Sequence, residues 1–285
     1  MSAAAKLAGF AATLAVLFGA TALAGGAVDP VHDPAEPAKP SDGMASGGGH
    51  GDEAKTVPQA VRGLAVSEGG LTLKLAGTSA RPGQRFDLDF RVVGRDGRTV
   101  RDFDIEHTKR MHVIVVRRDM TGFQHLHPTQ RPDGTWTVPV TLRDAGSYRV
   151  FADFSVAGKP RTLADDLTVD GTVRSRELPA PASSVSVDGL RVSLTESASH
   201  AGQESDLGFT VTRKGKPVAV EDYLGAKGHL VALRQGDLAF LHVHPDERSL
   251  RFMATFPTAG RYRLFLQFQV DGRVHTAAFT QEVSR

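Results

Sequence analysis

With 285 residues, 40% of them apolar and 23% charged, the chain is long enough for two domains of ordinary size and has a globular composition. A formal net charge of +2, with arginines dispersed along the chain, gives no footprint for nucleic acid. The lack of cysteine excludes disulfides, thiolate metal sites and cysteine nucleophiles, and leaves histidine, methionine and carboxylate as the side chains that commonly bind metals.

Residues 1–27 read as a targeting segment. Lys6 precedes an apolar run from Leu7 to Ala24, and Ala22-Leu23-Ala24 stands before Gly25, the pattern of a signal peptide. The run also has about the minimum length of a membrane span, so residues 7–24 read either as a cleaved leader or as an anchor in the cytoplasmic membrane. Both readings place the protein outside the cytoplasm, secreted or anchored, with the membrane met only through this segment. Residues 28–59 shift to Pro, Gly, Ala, Asp and Ser and read as a flexible linker. His32, Met44 and His50 in it could collect metal loosely, although isolated histidines in a tether more often have no role.

From Arg62 onward short period-two runs lie between turn signals. Leu71, Leu73 and Leu75 alternate, as do Phe86, Leu88, Phe90 and Val92, then Trp136, Val138, Val140 and Leu142, which predicts half-buried strands. The order returns with Leu190, Val192 and Leu194, then Leu207, Phe209 and Val211, then Leu250, Phe252, Ala254 and Phe256. No convincing amphipathic helix is present. Pro82-Gly83-Gln84 matches Ala201-Gly202-Gln203, and Asp144-Ala-Gly-Ser-Tyr148 matches Thr258-Ala-Gly-Arg-Tyr262, so the chain carries a duplicated domain. The expected division is a β-sandwich repeat over 60–172, an inter-domain linker over 173–182 and a second β-sandwich repeat over 183–285. Ala-Gly-X-Tyr resembles a tyrosine corner, in which the hydroxyl bonds back to the backbone at a Greek-key turn. The predicted fold is therefore all-β, two tandem immunoglobulin-like Greek-key sandwiches. The alternative for Tyr148 and Tyr262 is that they are ordinary strand aromatics.

Within this duplication, the stretch from His112 to His125-Leu-His127-Pro128 recurs without a gap as His229 to His242-Val-His244-Pro245. Each reads as a hairpin. In an antiparallel pair, residues whose numbers sum to a constant lie opposite each other, and a four-residue loop over Arg118 to Thr121 sets His112 opposite His127. His125 then falls on the same face, and the second copy gives the same result for His229, His242 and His244. An odd loop would send one strand's side chains to the other face. Val113, Val115 and Leu126 read as the core side, so something covers the histidine side, and the other copy is one candidate. Three converging imidazoles suit Cu(II), Zn(II) and Ni(II), with divalent copper the tightest binder of the series. Glu106, His107 and Met111 are lesser ligand candidates: Glu106 and His107 precede the hairpin, and Met111 points away from His112 in a regular strand. Met120 and Met253 carry less weight again. The competing reading is that the histidines are semi-buried polar groups that only pack at a domain junction.

His107-Thr-Lys-Arg-Met111-His112-Val-Ile-Val-Val, followed by Asp119, Phe123 and His125-Leu-His127-Pro128, resembles the pattern of YtkA-like and related exported β-sandwich proteins, several of them linked to copper handling. The leader, the His-containing linker and the two copies together are similar to a group of actinobacterial secreted or membrane-anchored proteins. The resemblance implies an immunoglobulin-like fold and a role in copper binding or delivery. The second copy departs from the pattern, having no counterpart of His107 or Met111.

Enzyme signatures are weak. His242-Val-His244-Pro-Asp-Glu247 superficially resembles a cupin metal motif, but its Glu comes one position early and no companion motif follows. The sequence thus predicts an extracytoplasmic protein that binds or delivers a transition metal through a three-histidine cluster in each repeat, with enzyme activity left open as the weaker reading. The expected ion is copper, with zinc or nickel as alternatives, and a secreted or membrane metal-handling protein is the expected partner. The alternative is a structural or adhesion module that binds a protein partner.

Overall fold

The computed structural model describes residues 61–285 apart from Ser197, His242 and Glu247. The expected leader and linker lie outside the described residues. Among the described residues every regular element is a strand, and none is a helix long and apolar enough to cross a membrane.

The first repeat contains Leu71–Leu75 (β1), Arg85–Val93 (β2), His112–Arg117 (β3), Gln124–Leu126 (β4), Trp136–Thr141 (β5), Gly146–Val156 (β6) and Lys159–Val169 (β7). One sheet runs Ser67–Glu68, β1, β2, β5, Thr129–Gln130, and the other Ser79–Ala80, β7, β6, β3, β4. The second repeat contains Leu190–Glu196 (β8), Glu204–Arg213 (β9), Gly228–Arg234 (β10), Phe240–Leu241 (β11), Arg251–Thr255 (β12), Gly260–Val270 (β13) and Arg273–Val283 (β14). Its sheets run Ser184–Val187, β8, β9, β12, His244–Pro245, and β11, β10, β13, β14. The described residues form two tandem immunoglobulin-like sandwiches.

Alternation builds each core. β2 turns Leu88, Phe90 and Val92 inward and leaves Asp87 and Arg91 exposed, and these meet Val113, Val115, Val150 and Phe154 from the facing sheet. Each fully buried side chain of this kind contributes roughly 1.5–3 kcal/mol. β3 breaks the pattern, because all six of its residues are buried. Its second side, Ile114 and Val116, enters a separate apolar cluster with Phe151 and, from the second repeat, Val231, Leu233, Phe240 and Phe265. The second repeat is therefore what covers the histidine side of the first.

That interface is built twice over. Phe123 stacks on Phe265 at 4.1 Å between ring centroids, and Phe240 meets Phe151 at 5.6 Å. Phe240 is the counterpart of Phe123 and Phe151 that of Phe265, so the second contact is the first with the repeats exchanged. The sheets thus meet as a local two-fold pair, as in an isologous dimer.

The corner tyrosines are as expected for such folds. The Tyr148 hydroxyl donates to the Asp144 carbonyl at 2.8 Å, and that of Tyr262 to the Thr258 carbonyl at 2.9 Å. The turns before them need glycine, since Gly146 and Gly260 adopt φ of 134° and 130°. Both rings are buried, so Tyr148→Phe and Tyr262→Phe should each lower unfolding free energy by about 1 kcal/mol in urea titrations. No loss in either variant would mean that the corner bond contributes nothing net.

Candidate metal centre

The hairpin register follows the four-residue reading. Val113 pairs with Leu126 and Ile114 with His125, which continues to His112 opposite His127. In repeat 2, Ala232↔Leu241 and Leu233↔Phe240 give the equivalent register. Repeat 1 reaches it by another route. Arg117 N–H bonds the Thr121 carbonyl and Met120 N–H the Arg117 carbonyl, so the turn itself spans an odd three residues. One extra residue between Thr121 and Gln124, at Gly122-Phe123, then restores the face, as a β-bulge does. Arg117 and Asp119 form a buried ion pair across this turn, and the Asp119 carboxyl titrates at about 2, its hydrogen bonds to Arg117 and Thr121 outweighing burial.

The three first-repeat histidines meet. Ring centroids are 5.3 Å apart for His112–His125, 5.0 Å for His112–His127 and 4.8 Å for His125–His127. Among the described residues they are the group of three whose donor atoms lie mutually close, all within 4.8 Å.

Outer partners fix the tautomers. His112 Nε2–H donates to the Glu106 carbonyl at 3.2 Å, which leaves Nδ1 of a neutral ring as a lone pair. His125 Nδ1–H donates to Gln267 Oε1 of the second repeat at 2.7 Å, which leaves Nε2 as a lone pair. Those two nitrogens stand 3.1 Å apart. Two imidazole nitrogens on one tetrahedral ion at 2.0–2.1 Å would stand about 3.3 Å apart. His127 Nε2 is buried and has no hydrogen-bond partner among the described residues.

A proton is poorly placed to bridge these lone pairs. Burial lowers His112, pushes His125 down to about 3 and pushes His127 down to about 4. Mutual repulsion among the rings adds to this for His125 and His127. The group is thus a set of neutral nitrogen donors, on one buried ring and two partly buried ones.

The second-repeat histidines are arranged differently. His229 is buried beside the first repeat's group, 6.3 Å from His125, and burial lowers it to about 4. Its Nε2–H donates to the Tyr223 carbonyl at 2.9 Å, the counterpart of the bond from His112 to Glu106. His242 lies outside the described residues. The backbone of His244 pairs opposite Met253 on β12, in the other sheet of its sandwich.

Of the lesser candidates, Glu106 contributes its carbonyl and His107 is exposed on the turn before β3. Met111 is 1% exposed within the first sandwich core, so its thioether faces away from the imidazoles. Met120 lies in the apolar cluster between the repeats, and Met253 is 36% exposed on the second repeat.

Sequence reasoning missed Gln267 and Asp153. They are counterparts, at one offset from the two Ala-Gly-X-Tyr turns, and sit opposite His229 and His112 respectively. Thr276 and Thr162 lie opposite them and bond them. The signal was one polar residue inside an apolar run, Phe151-Ala-Asp-Phe154 and Phe265-Leu-Gln-Phe268. Asp153 and four of the histidines, His107, His112, His125 and His229, line a cavity of about 60 Å³ between the repeats. That is room for an ion with a water or two.

The family described as Domain of unknown function (DUF8832) matches the chain twice, over residues 65–171 and 185–285. No curated protein sequence matches it. Among solved structures, the Escherichia coli adhesin FdeC is 14% identical over 78% of this chain and 66% of its own, with a TM-score of 0.27. A chimeric titin Z1Z2 tandem is 16% identical over 74% of this chain and 95% of its own, with a TM-score of 0.20. Fibronectin(III)-like modules of Clostridium thermocellum CbhA are 10% identical over 75% and 93%, with a TM-score of 0.22.

Burial of the imidazoles has a pH signature. Between the unfolded histidine value of 6.5 and about 4, the unfolded chain holds protons on His125, His127 and His229 that the folded chain does not. Stability rises with pH wherever the unfolded state binds more protons, so acid through this window weakens the fold. Asp153 opposes this, since burial raises it to about 6 from 3.8 and the folded chain then holds its proton in that range. With three groups against one, the urea midpoint of metal-free protein should fall as pH drops from about 7 to about 4.5. A His125→Gln/His127→Gln variant should show a flatter profile. A flat profile in the wild type would mean that the rings are solvated in the folded state.

Proposed function

The chain belongs to the DUF8832 family, in two tandem copies, and from that premise we propose that it binds or delivers a transition metal outside the cytoplasm. The ion is held by His112, His125 and His127. One observation carries this reading: two imidazole lone pairs, each turned inward by a hydrogen bond on the far side of its ring, face each other at 3.1 Å. Without a cation between them such an arrangement is repulsive, and a histidine placed only for packing has no need of it. The unpartnered Nε2 of His127 supplies a third donor, and leaving it buried without a bond costs about 1–3 kcal/mol.

Copper is the metal proposed first. The donors are imidazoles with no thiolate in the chain, and copper stands at the top of the divalent affinity order, while zinc or nickel would suit the same donors. The apolar leader and the resemblance to YtkA-like sandwiches support an exported copper protein. Three protein ligands leave a fourth position open, which suits exchange with a secreted or membrane metal-handling partner better than a closed structural site would.

Titration of the full chain with Cu(II), purified without a histidine tag, should show tight uptake at this group that His125→Ala/His127→Ala abolishes. Free ion at about 100 times Kd should stabilise the wild type by about 2.7 kcal/mol and leave that variant unmoved. If ions shift both proteins equally, the histidines only pack, and the structural or adhesion reading takes over. Gln267→Ala should weaken binding by about 10- to 100-fold by freeing the His125 tautomer, and Gln267→Glu, which keeps an acceptor, should restore most of it. Unchanged affinity in Gln267→Ala would remove the second repeat from the site.

A further inference from the structure

Resting on the reading that the three-imidazole group holds an ion, we infer that His107 and His229 form an outer station of the same centre, through which the ion enters and leaves. The two rings come from different repeats and stand 5.3 Å apart at 80°. That is also the centroid separation of His112 and His125, a spacing at which two rings can turn nitrogens toward one ion. His229 has its Nε2–H committed to Tyr223, which leaves Nδ1 as its donor. His107 reaches the solvent, whereas His112 and His229 are buried.

The spacing makes a path. His107 is 6.4 Å from His112, and His229 is 6.3 Å from His125, so each member of the pair adjoins one member of the inner group. His107, His229, His112 and His125 line one cavity. Two imidazoles hold an ion less tightly than three, so occupancy falls from the inner group to the outer pair and from there to water. The gradient serves uptake and release alike.

The turn that presents His107 is strained. Glu106 and Lys109 bond each other across it, and His107 and Thr108 both have positive φ, 47° and 67°. A β-branched residue such as Thr rarely adopts that conformation. The matching turn of the second repeat, Tyr223 to Ala226, carries Leu224 and Gly225 at these places, with glycine where the conformation costs least. The strained copy is the one that carries the exposed imidazole. Of these two turns, the first repeat's is thus the one that offers an imidazole to an entering ion.

The experiment is stopped-flow transfer of Cu(II) between a chromophoric chelator and the full chain. His107→Asn removes the imidazole and keeps a residue that tolerates positive φ. It should slow loading and release together by about tenfold, the scale at which one supporting group near a metal is felt, with Kd changed by less than about twofold. Thr108→Gly, which relaxes the turn and keeps the imidazole, should leave both rates as they are. Unchanged rates in His107→Asn would overturn the proposal. So would faster release with unchanged loading, which would make His107 a ligand of the stored ion, and so would equal slowing in Thr108→Gly. Failure of the wild type to bind Cu(II) at all would instead sink the metal reading itself, and is seen in the same traces.

Discussion

Strand β3 has no solvent side: Val113 and Val115 enter the first sandwich core, while His112, Ile114 and Val116 face the second repeat. That double burial sets the chemistry of the site. Imidazoles on an ordinary half-exposed sheet would titrate near neutrality and find water for every nitrogen. Here burial keeps them neutral, and each polar atom must find a protein partner or go without. Glu106 and Gln267 take the outward N–H groups of His112 and His125, and the inward nitrogens are left facing each other. The apolar contacts around them, Phe123 on Phe265 and Phe151 on Phe240, hold the two sheets together and so maintain the burial.

Duplication gave two like sandwiches but unlike histidine environments. Both repeats anchor the first histidine of the hairpin through the carbonyl six residues earlier, Glu106 for His112 and Tyr223 for His229. They diverge beyond that point. The first repeat puts a buried carboxyl at position 153 where the second has the amide of Gln267, and only the amide is bonded to a described histidine of the opposite repeat. The chain also leaves the hairpin earlier in the second repeat: His244–Pro245 already pairs with β12, whereas in the first the corresponding edge piece begins at Thr129, two residues further on. One repeat thus supplies the inner donors, and the other orients one of them.

Much of this was legible in the sequence because strand chemistry is periodic. Alternation of Leu88, Phe90 and Val92, the matched Ala-Gly-X-Tyr turns and the gapless recurrence of the histidines suffice for tandem sandwiches with His112, His125 and His127 on one side. The register came out as expected although the turn did not, because a bulge after Thr121 compensated for an odd loop, and nothing in Arg118-Asp-Met-Thr-Gly announces it. Contacts between repeats are a different matter. Gln267 meets His125 across 142 positions of chain, through a docking that no local pattern encodes. The polar residue inside each apolar run was visible, but its target depended on which sheets face each other, and His229 went to the first repeat's group for the same reason.

Charge sets a further condition on the proposed ion. Three neutral imidazoles offset none of a cation's charge, and an uncompensated charge in a buried site is costly. Asp153 lies opposite His112 on the neighbouring strand and lines the same cavity. With its carboxyl raised to about 6 by burial, it is mostly ionised at neutral pH, and a nearby cation would hold it so. A monovalent copper ion would then be balanced one for one by Asp153. A divalent ion would keep one net positive charge, which an anion on the open fourth position would cancel. On the proposed reading, a divalent ion would need a second anion beside Asp153 where a monovalent one would not, and a change of oxidation state would be coupled to anion exchange.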